Sequence, residues 1–213
     1  MLKTKLLAPI SKPRTISNEI ADRLILAIAN GEMEPGTRLT EGMVADVMEV
    51  SRAPAREALQ ALAGRAILET TGKRGLRVGN FSPKQAREVR AVRLALETVA
   101  LKTVMTSAND EVTEALGATI KEMSRLSARP NALSLAQCDL KFHRLIVQSA
   151  DNSVLLRMWD DLSHHMLIGF CRDWHALKNK VGEVELHEHL LDFIRTGDPA
   201  NAEAILQEHF TPA

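Results

Sequence analysis

Tyrosine is missing from this chain of 213 residues, and two tryptophans with five phenylalanines bring the aromatics to only 3 %. So few aromatics, beside abundant leucine, alanine and glutamate, argue against a large sheet and for a mostly helical protein. Cysteine is nearly absent too. Cys138 and Cys171 both fall in helical patterns, which excludes a disulfide-stapled scaffold and points to free thiols in a reducing cytoplasm. No stretch approaches the roughly eighteen apolar residues of a membrane span. The basic start MLKTKLLAPISKPRT has its apolar run Leu6-Leu7-Ala8 cut by Pro9. That run is too short for a signal peptide, so residues 1–15 read as a flexible lead-in or as an arm that contacts DNA. Repeats and low-complexity tracts are lacking.

Net charge is lacking as well, but the zero hides a gradient. Residues 1–81 hold 12 Lys/Arg against 9 Asp/Glu, and residues 82–213 hold 15 against 18. A basic first part beside an acidic second part is consistent with only the first touching nucleic acid.

What the basic part contains is a dense pattern from Arg38 to Val78. Met43, Val44 and Val47 make a short apolar face that Val50-Ser51 interrupts. Ala55, Ala58, Leu59 and Leu62 make a second stripe at i, i+3, i+4, i+7 spacing. Arg52 and Arg56 stand four apart on that second helix, off the stripe, and project from one face. After Gly64, Ile67 and Leu68 lead into a hairpin whose basic turn, Gly72-Lys73-Arg74-Gly75, accepts positive φ at both glycines. An earlier helix over Ser17 to Asn30 buries Ile20, Leu24, Ala27 and Ile28 and stops at Gly31. Three helices and a small β-hairpin over residues 16–79 describe a winged helix-turn-helix, in which the second helix of the pair enters the major groove while the wing touches adjacent backbone. The plain alternative is an amphipathic helical hairpin with solvated arginines.

Residues 80–82 form a linker, since Ser82 can cap a new helix with Pro83 in its first turn. Six helical segments follow: Pro83 to Ser107, Asp110 to Ala128, Ala132 to Ala150, a fourth reaching Trp174, Lys178 to Thr196, and Pro199 to Phe210. Gly197-Asp198-Pro199 supplies a glycine stop, an aspartate cap and a first-turn proline. The product is an all-α six-helix bundle over 83–213.

All seven histidines lie between His143 and His209. Asp139 and His143 are spaced i, i+4 and share one helix face. His187 sits among Val184, Leu190, Leu191 and Ile194, and His209 ends the last helix. A carboxylate and three imidazoles on separate helices of a bundle are a candidate metal shell. Taken alone, histidines on helices are more often surface or satisfied core residues than ligands. His189 faces away from His187, so only one of the two can join. HExxH is absent, which leaves a zinc-protease reading without support.

The run PGTRLTEGMVADVMEVSRAPAREALQAL resembles the DNA-binding domain of the GntR superfamily of bacterial transcription regulators. Pro35-Gly36, Arg38-Leu39, Glu41, Val50-Ser51-Arg52, Pro54 and Arg56-Glu57-Ala58-Leu59 fall where that family's pattern has them, as does Arg74-Gly75 in the wing. Glu49 replaces the usual turn glycine, and Ala53 replaces a usual Thr or Ser, a loss for which Ser51 can compensate as a cap. The second half resembles the FCD ligand-binding domain of the FadR subfamily. Asp139-Leu-Lys-Phe-His143, His187 before Gly197-Asp198, and His209 fill its four metal positions, and Arg93 with Glu97 match its Arg-x-x-x-Glu. Leu186 departs from the glutamate many relatives carry beside the later histidine. Six bundle helices suggest the VanR-like branch.

The resemblance implies a cytoplasmic, homodimeric repressor-type regulator that reads an inverted repeat of operator DNA. Arg52 and Arg56 would face the groove. Arg38, Ser51, Lys73, Arg74 and Gly75 would complete the DNA contact, mostly at phosphate. Asp139, His143, His187 and His209 would hold a divalent Zn, Ni or Mn, leaving positions open for a small organic acid that pairs with Arg93. Two rivals stay open: a metal-dependent enzyme of small acids with an appended DNA-binding domain, using Glu188, His164 or His165 as base, and a regulator whose bundle only dimerises.

Overall fold

A computed structural model describes residues 15–72, 75–107, 110–128, 130–176 and 182–210, the side chains of 174–176 excepted. Lys73 and Arg74, expected at the wing tip, therefore lie outside the described residues. The chain divides into two compact units: residues up to Ile25 with Gly36–Gly79, and Leu26–Pro35 with the residues from Asn80 onward.

α1 (Ile16–Ala29) contributes its residues up to Ile25 to the first unit, followed there by strand β1 (Arg38–Leu39), helices α2 (Glu41–Val47) and α3 (Arg52–Gly64), and strands β2 (Leu68–Thr70) and β3 (Leu76–Val78). The expected two-stranded hairpin is one strand short. β1 joins it as an edge, with order β1-β3-β2, all antiparallel, and Arg38 opposite Arg77. α3 buries Ala55, Ala58, Leu59 and Leu62 on one face, as its spacing requires. α2 departs from the expected face. Val44 and Ala45 are its buried residues, while Met43 is 51 % and Val47 82 % exposed. Seven residues make about two turns, too few for an apolar spacing to fix a face.

The connection between α2 and α3 turns at Glu49, whose φ is 54°. A glutamate thus adopts the left-handed backbone that glycine would take without strain. Ser51 occupies the capping position of α3 in extended conformation, but its hydroxyl makes no capping hydrogen bond, so the expected compensation for Ala53 does not occur. Gly75 sits in tight space: a Cβ there would come within 3.1 Å of Thr71 Oγ1 and 3.2 Å of Arg38 Nε, so those side chains would have to give by a few tenths of an ångström.

The second unit packs α4 (Pro83–Ser107), α5 (Asp110–Ser127), α6 (Ala132–Ser149), α7 (Ser153–Ala176), α8 (Glu183–Thr196) and α9 (Ala202–Phe210), with a 3₁₀ turn at Pro199–Asn201. Their shared core includes Leu101, Leu116, Phe142, Ile146, Trp159, Leu190 and Leu206. α8 is described from Glu183, after Gly182 at φ 118°, and the expected start at Lys178 lies outside the described residues. The α8–α9 junction forms as expected but for a different reason. Gly197 ends α8 with extended backbone, φ −77°. Its lack of a side chain matters because a Cβ would lie 2.5 Å from the Phe193 ring. Asp198 then caps the turn, accepting from the Ala200 amide at 2.9 Å.

Candidate metal centre and nucleic-acid interface

The i, i+4 spacing on α6 turns Asp139 and His143 to the bundle interior, where α8 brings His187 and α9 brings His209. All four are buried, and one ligand atom from each lies within 4.8 Å of the others. His143 Nε2 is 3.0 Å from His209 Nε2 and 3.7 Å from Asp139 Oδ1, and His187 Nε2 is 3.3 Å from the same oxygen.

Hydrogen bonds behind the rings assign their tautomers. His143 Nδ1 lies 2.6 Å from Glu97 Oε2, and His187 Nδ1 lies 2.6 Å from the Glu183 carbonyl. Both Nδ1 atoms therefore carry a proton and donate it to oxygen, which turns Nε2 of each ring toward the other ligand atoms. His143 Nε2 and His209 Nε2 then form a hydrogen bond at 3.0 Å, while His187 Nε2 faces Asp139 Oδ1 at 3.3 Å, so the ligand atoms of all four residues converge where one cation could satisfy them together. His187 Nε2 and His209 Nδ1 find no hydrogen-bond partner among the described residues. Rings whose far nitrogens are oriented by a carboxylate and a backbone carbonyl are the arrangement that metal-binding imidazoles use. The donor set fits a divalent metal.

Glu97 on α4 is the hub of the outer layer. It is fully buried, accepts from Arg93 Nε and Trp159 Nε1 at 2.9 Å each, and holds His143. Burial pushes its carboxyl upward, but His143, Arg93 and the indole N–H outweigh that and hold it down at about 2. Asp139 likewise stays ionised against burial, held well below the usual range chiefly by Arg93. Burial lowers His143. It lowers His209 to about 2, helped by His143 and His187. Arg93 bridges the two carboxylates, its Nη2 3.4 Å from Asp139 Oδ2, and its guanidinium lies 4.2 Å over the Phe210 ring. One cation against two carboxylates leaves the centre one negative charge when its imidazoles are neutral.

Sequence reasoning matched Glu97 to a family pattern without a role and missed Trp159 and the Glu183 carbonyl altogether. Leu186 precedes His187, whose Nδ1 donates to the Glu183 carbonyl. Glu188 and His189 lie on the exposed face of α8. His164 and His165 lie on α7, and His165 packs edge-on against Phe81.

On the first unit Arg38, Ser51, Arg52 and Arg56 are all exposed. Arg56 does not project freely. Its Nε and Nη2 donate to Glu41 Oε1 and Oε2 at 2.9 and 3.0 Å.

Residues 16–78 match the model of the bacterial regulatory proteins of the gntR family, and residues 88–211 match the FCD domain. A protein of Paenarthrobacter nicotinovorans named "Probable D-xylose utilization operon transcriptional repressor" is 27 % identical, across 92 % of this chain and 85 % of that one. The gluconate operon transcriptional repressor of Bacillus licheniformis is 32 % identical, across 84 % and 75 %. Among solved structures, E. coli McbR/YncC superposes with a TM-score of 0.79 at 19 % identity, covering 92 % of this chain and 93 % of that one. A GntR-type regulator from Rhodococcus sp. RHA1 superposes with a TM-score of 0.70 at 18 % identity, covering 91 % and 92 %.

Proposed function

The chain belongs to the gntR family of bacterial regulatory proteins and carries an FCD domain; it is a DNA-binding transcription regulator, and we propose that its operator affinity is set by a small organic acid bound beside a divalent metal. The observation that carries this reading is the buried meeting of Asp139, His143, His187 and His209, whose ligand atoms all lie within 4.8 Å of one another. Such a donor set suits Zn, Ni or Mn. A bound divalent ion would turn the local charge from one negative to one positive and offer open positions to a carboxylate. Arg93 supports the same ligand class: its contact to Asp139 is the longer of its two, and an incoming carboxylate would compete for that edge of the fork.

In this reading residues 16–79 bind DNA, 80–82 link, and 83–213 sense and dimerise. Arg52 and Arg56 read base edges. Arg38, Ser51, Lys73, Arg74 and Gly75 meet the phosphates. One α3 covers only a few base pairs, so a two-fold homodimer on an inverted repeat doubles the discrimination. Named repressors among the relatives favour repression, from the cytoplasm where operators lie. The enzyme alternative finds no support: Glu188, its nearest candidate base in sequence, is exposed, and the relatives are regulators.

The test is affinity for the DNA around the protein's own locus, with metal alone and with metal plus a panel of small organic acids. A change with metal and acid together, absent in Arg93→Ala, is expected. Equal affinity under all conditions would overturn effector control, since a ligand with no preference between states shifts nothing. Sedimentation of a monomer on a single half-site would overturn the dimer.

A further inference from the structure

Glu41 has little freedom of its own. The two residues of β1 just before it are paired with β3, and Thr40 caps α2, its hydroxyl accepting from the Met43 amide at 3.3 Å. Arg56 stands on α3, whose opposite stripe is fully buried. Between these fixed elements both carboxylate oxygens are used: Oε1 takes Nε and Oε2 takes Nη2, at 2.9 and 3.0 Å. That is a side-on grip, and the bond lowers the Glu41 carboxyl and raises the Arg56 guanidinium.

A guanidinium has five N–H donors in one plane. A side-on carboxylate occupies two of them. The end edge, with one hydrogen on each terminal nitrogen, stays available, and that edge matches the N7 and O6 acceptors of guanine in the major groove. The pair also has a charge consequence. A carboxylate beside a recognition helix repels phosphate, so it costs affinity for every sequence alike. Exposed ion pairs contribute little to stability, so tying α2 to α3 is a poor reason to keep it.

We propose that Glu41 is a specificity-determining positioning residue, which grips the side edge of Arg56 and so presents the end edge to a guanine. The proposal rests on the reading that α3 enters the major groove. The carboxylate then acts twice: it aims the arginine, and it disfavours docking where no guanine repays the phosphate repulsion.

The test uses the full-length protein and duplexes that the wild type selects from a randomised pool. Affinity for the best duplex and for a random-sequence duplex is measured for wild type, Glu41→Gln, Glu41→Ala, Arg56→Ala and the Glu41→Gln/Arg56→Ala double variant, with thermal melts on each. Both Glu41 variants should bind random duplex as tightly as wild type or tighter, while the selected-to-random ratio falls about fivefold or more, the scale of one bidentate base contact. The lost base preference should map to the positions lost in Arg56→Ala, and the double variant should be no worse than Arg56→Ala. A wild-type ratio in both Glu41 variants, or equal weakening on both duplexes together with a lowered melting temperature, would overturn the proposal. An unchanged preference in Arg56→Ala would overturn it differently, by removing Arg56 as a base reader while leaving wild-type DNA selection intact.

Discussion

Glu97 and His143, 46 residues apart in sequence, meet at 2.6 Å inside the bundle, with the carboxylate and the imidazole both fully buried. This contact decides which nitrogen of His143 faces the candidate metal. It also ties the ligand to Arg93 and Trp159, which share the same carboxylate.

Glu97→Gln should therefore damage the centre without touching a ligand. The amide can accept from Arg93 or Trp159 but no longer offers a charged acceptor to His143, and Arg93 loses one of its two counter-charges. Metal affinity should fall about 10–100-fold, and the metal-free protein should lose roughly 3–5 kcal/mol, as when one partner of a buried ion pair is removed. Calorimetric metal titration and denaturant unfolding read the two effects. Wild-type affinity in the variant would contradict the positioning role.

Acid should destabilise the chelator-treated protein before its carboxylates titrate. His143 and His209 have folded values below the ordinary imidazole value, His209 at about 2. The unfolded chain therefore binds more protons than the folded one as pH drops below about 6.5. Their contribution is fully present above that pH and is lost as pH falls, by about 1.4 kcal/mol per pH unit for the one proton that His209 excludes, with His143 adding in the same direction. His209→Leu should flatten the slope by about one proton. A slope unchanged in that variant would mean that His209 is not held neutral.

The turn before α3 carries removable strain. Glu49 is exposed and has φ 54°, so Glu49→Gly should relieve a left-handed side chain at the cost of a freer unfolded state. A net gain of about 0.5–1 kcal/mol is expected in denaturant unfolding. A loss would show that the glutamate contributes contacts worth more than its strain.

What the sequence revealed depended on how local each feature is. Asp139 and His143 are one helical turn apart and declare a shared face. The α3 stripe runs over two turns and declares its own. β1 has two residues and no periodicity, so only its pairing with β3 identifies it. Met43 and Val47 mislead because a seven-residue helix is too short to have a determined face. Glu97 looked like half of an i, i+4 pair with Arg93, and nothing local shows that its second oxygen reaches α6. Glu41 and Arg56 are 15 residues apart, and their pairing depends on how α2 meets α3 across the Glu49 turn.

The central claim is that Asp139, His143, His187 and His209 hold one divalent metal, and elemental analysis of purified protein tests it most directly. The protein must be prepared without chelator and without nickel resin. Close to one metal per chain is expected in wild type and in His189→Ala, whose imidazole is exposed, with a clear loss in His143→Ala and in His187→Ala. Wild-type metal content in both His143→Ala and His187→Ala, or no metal in the wild type, would contradict the claim and leave these four residues an ordinary polar core.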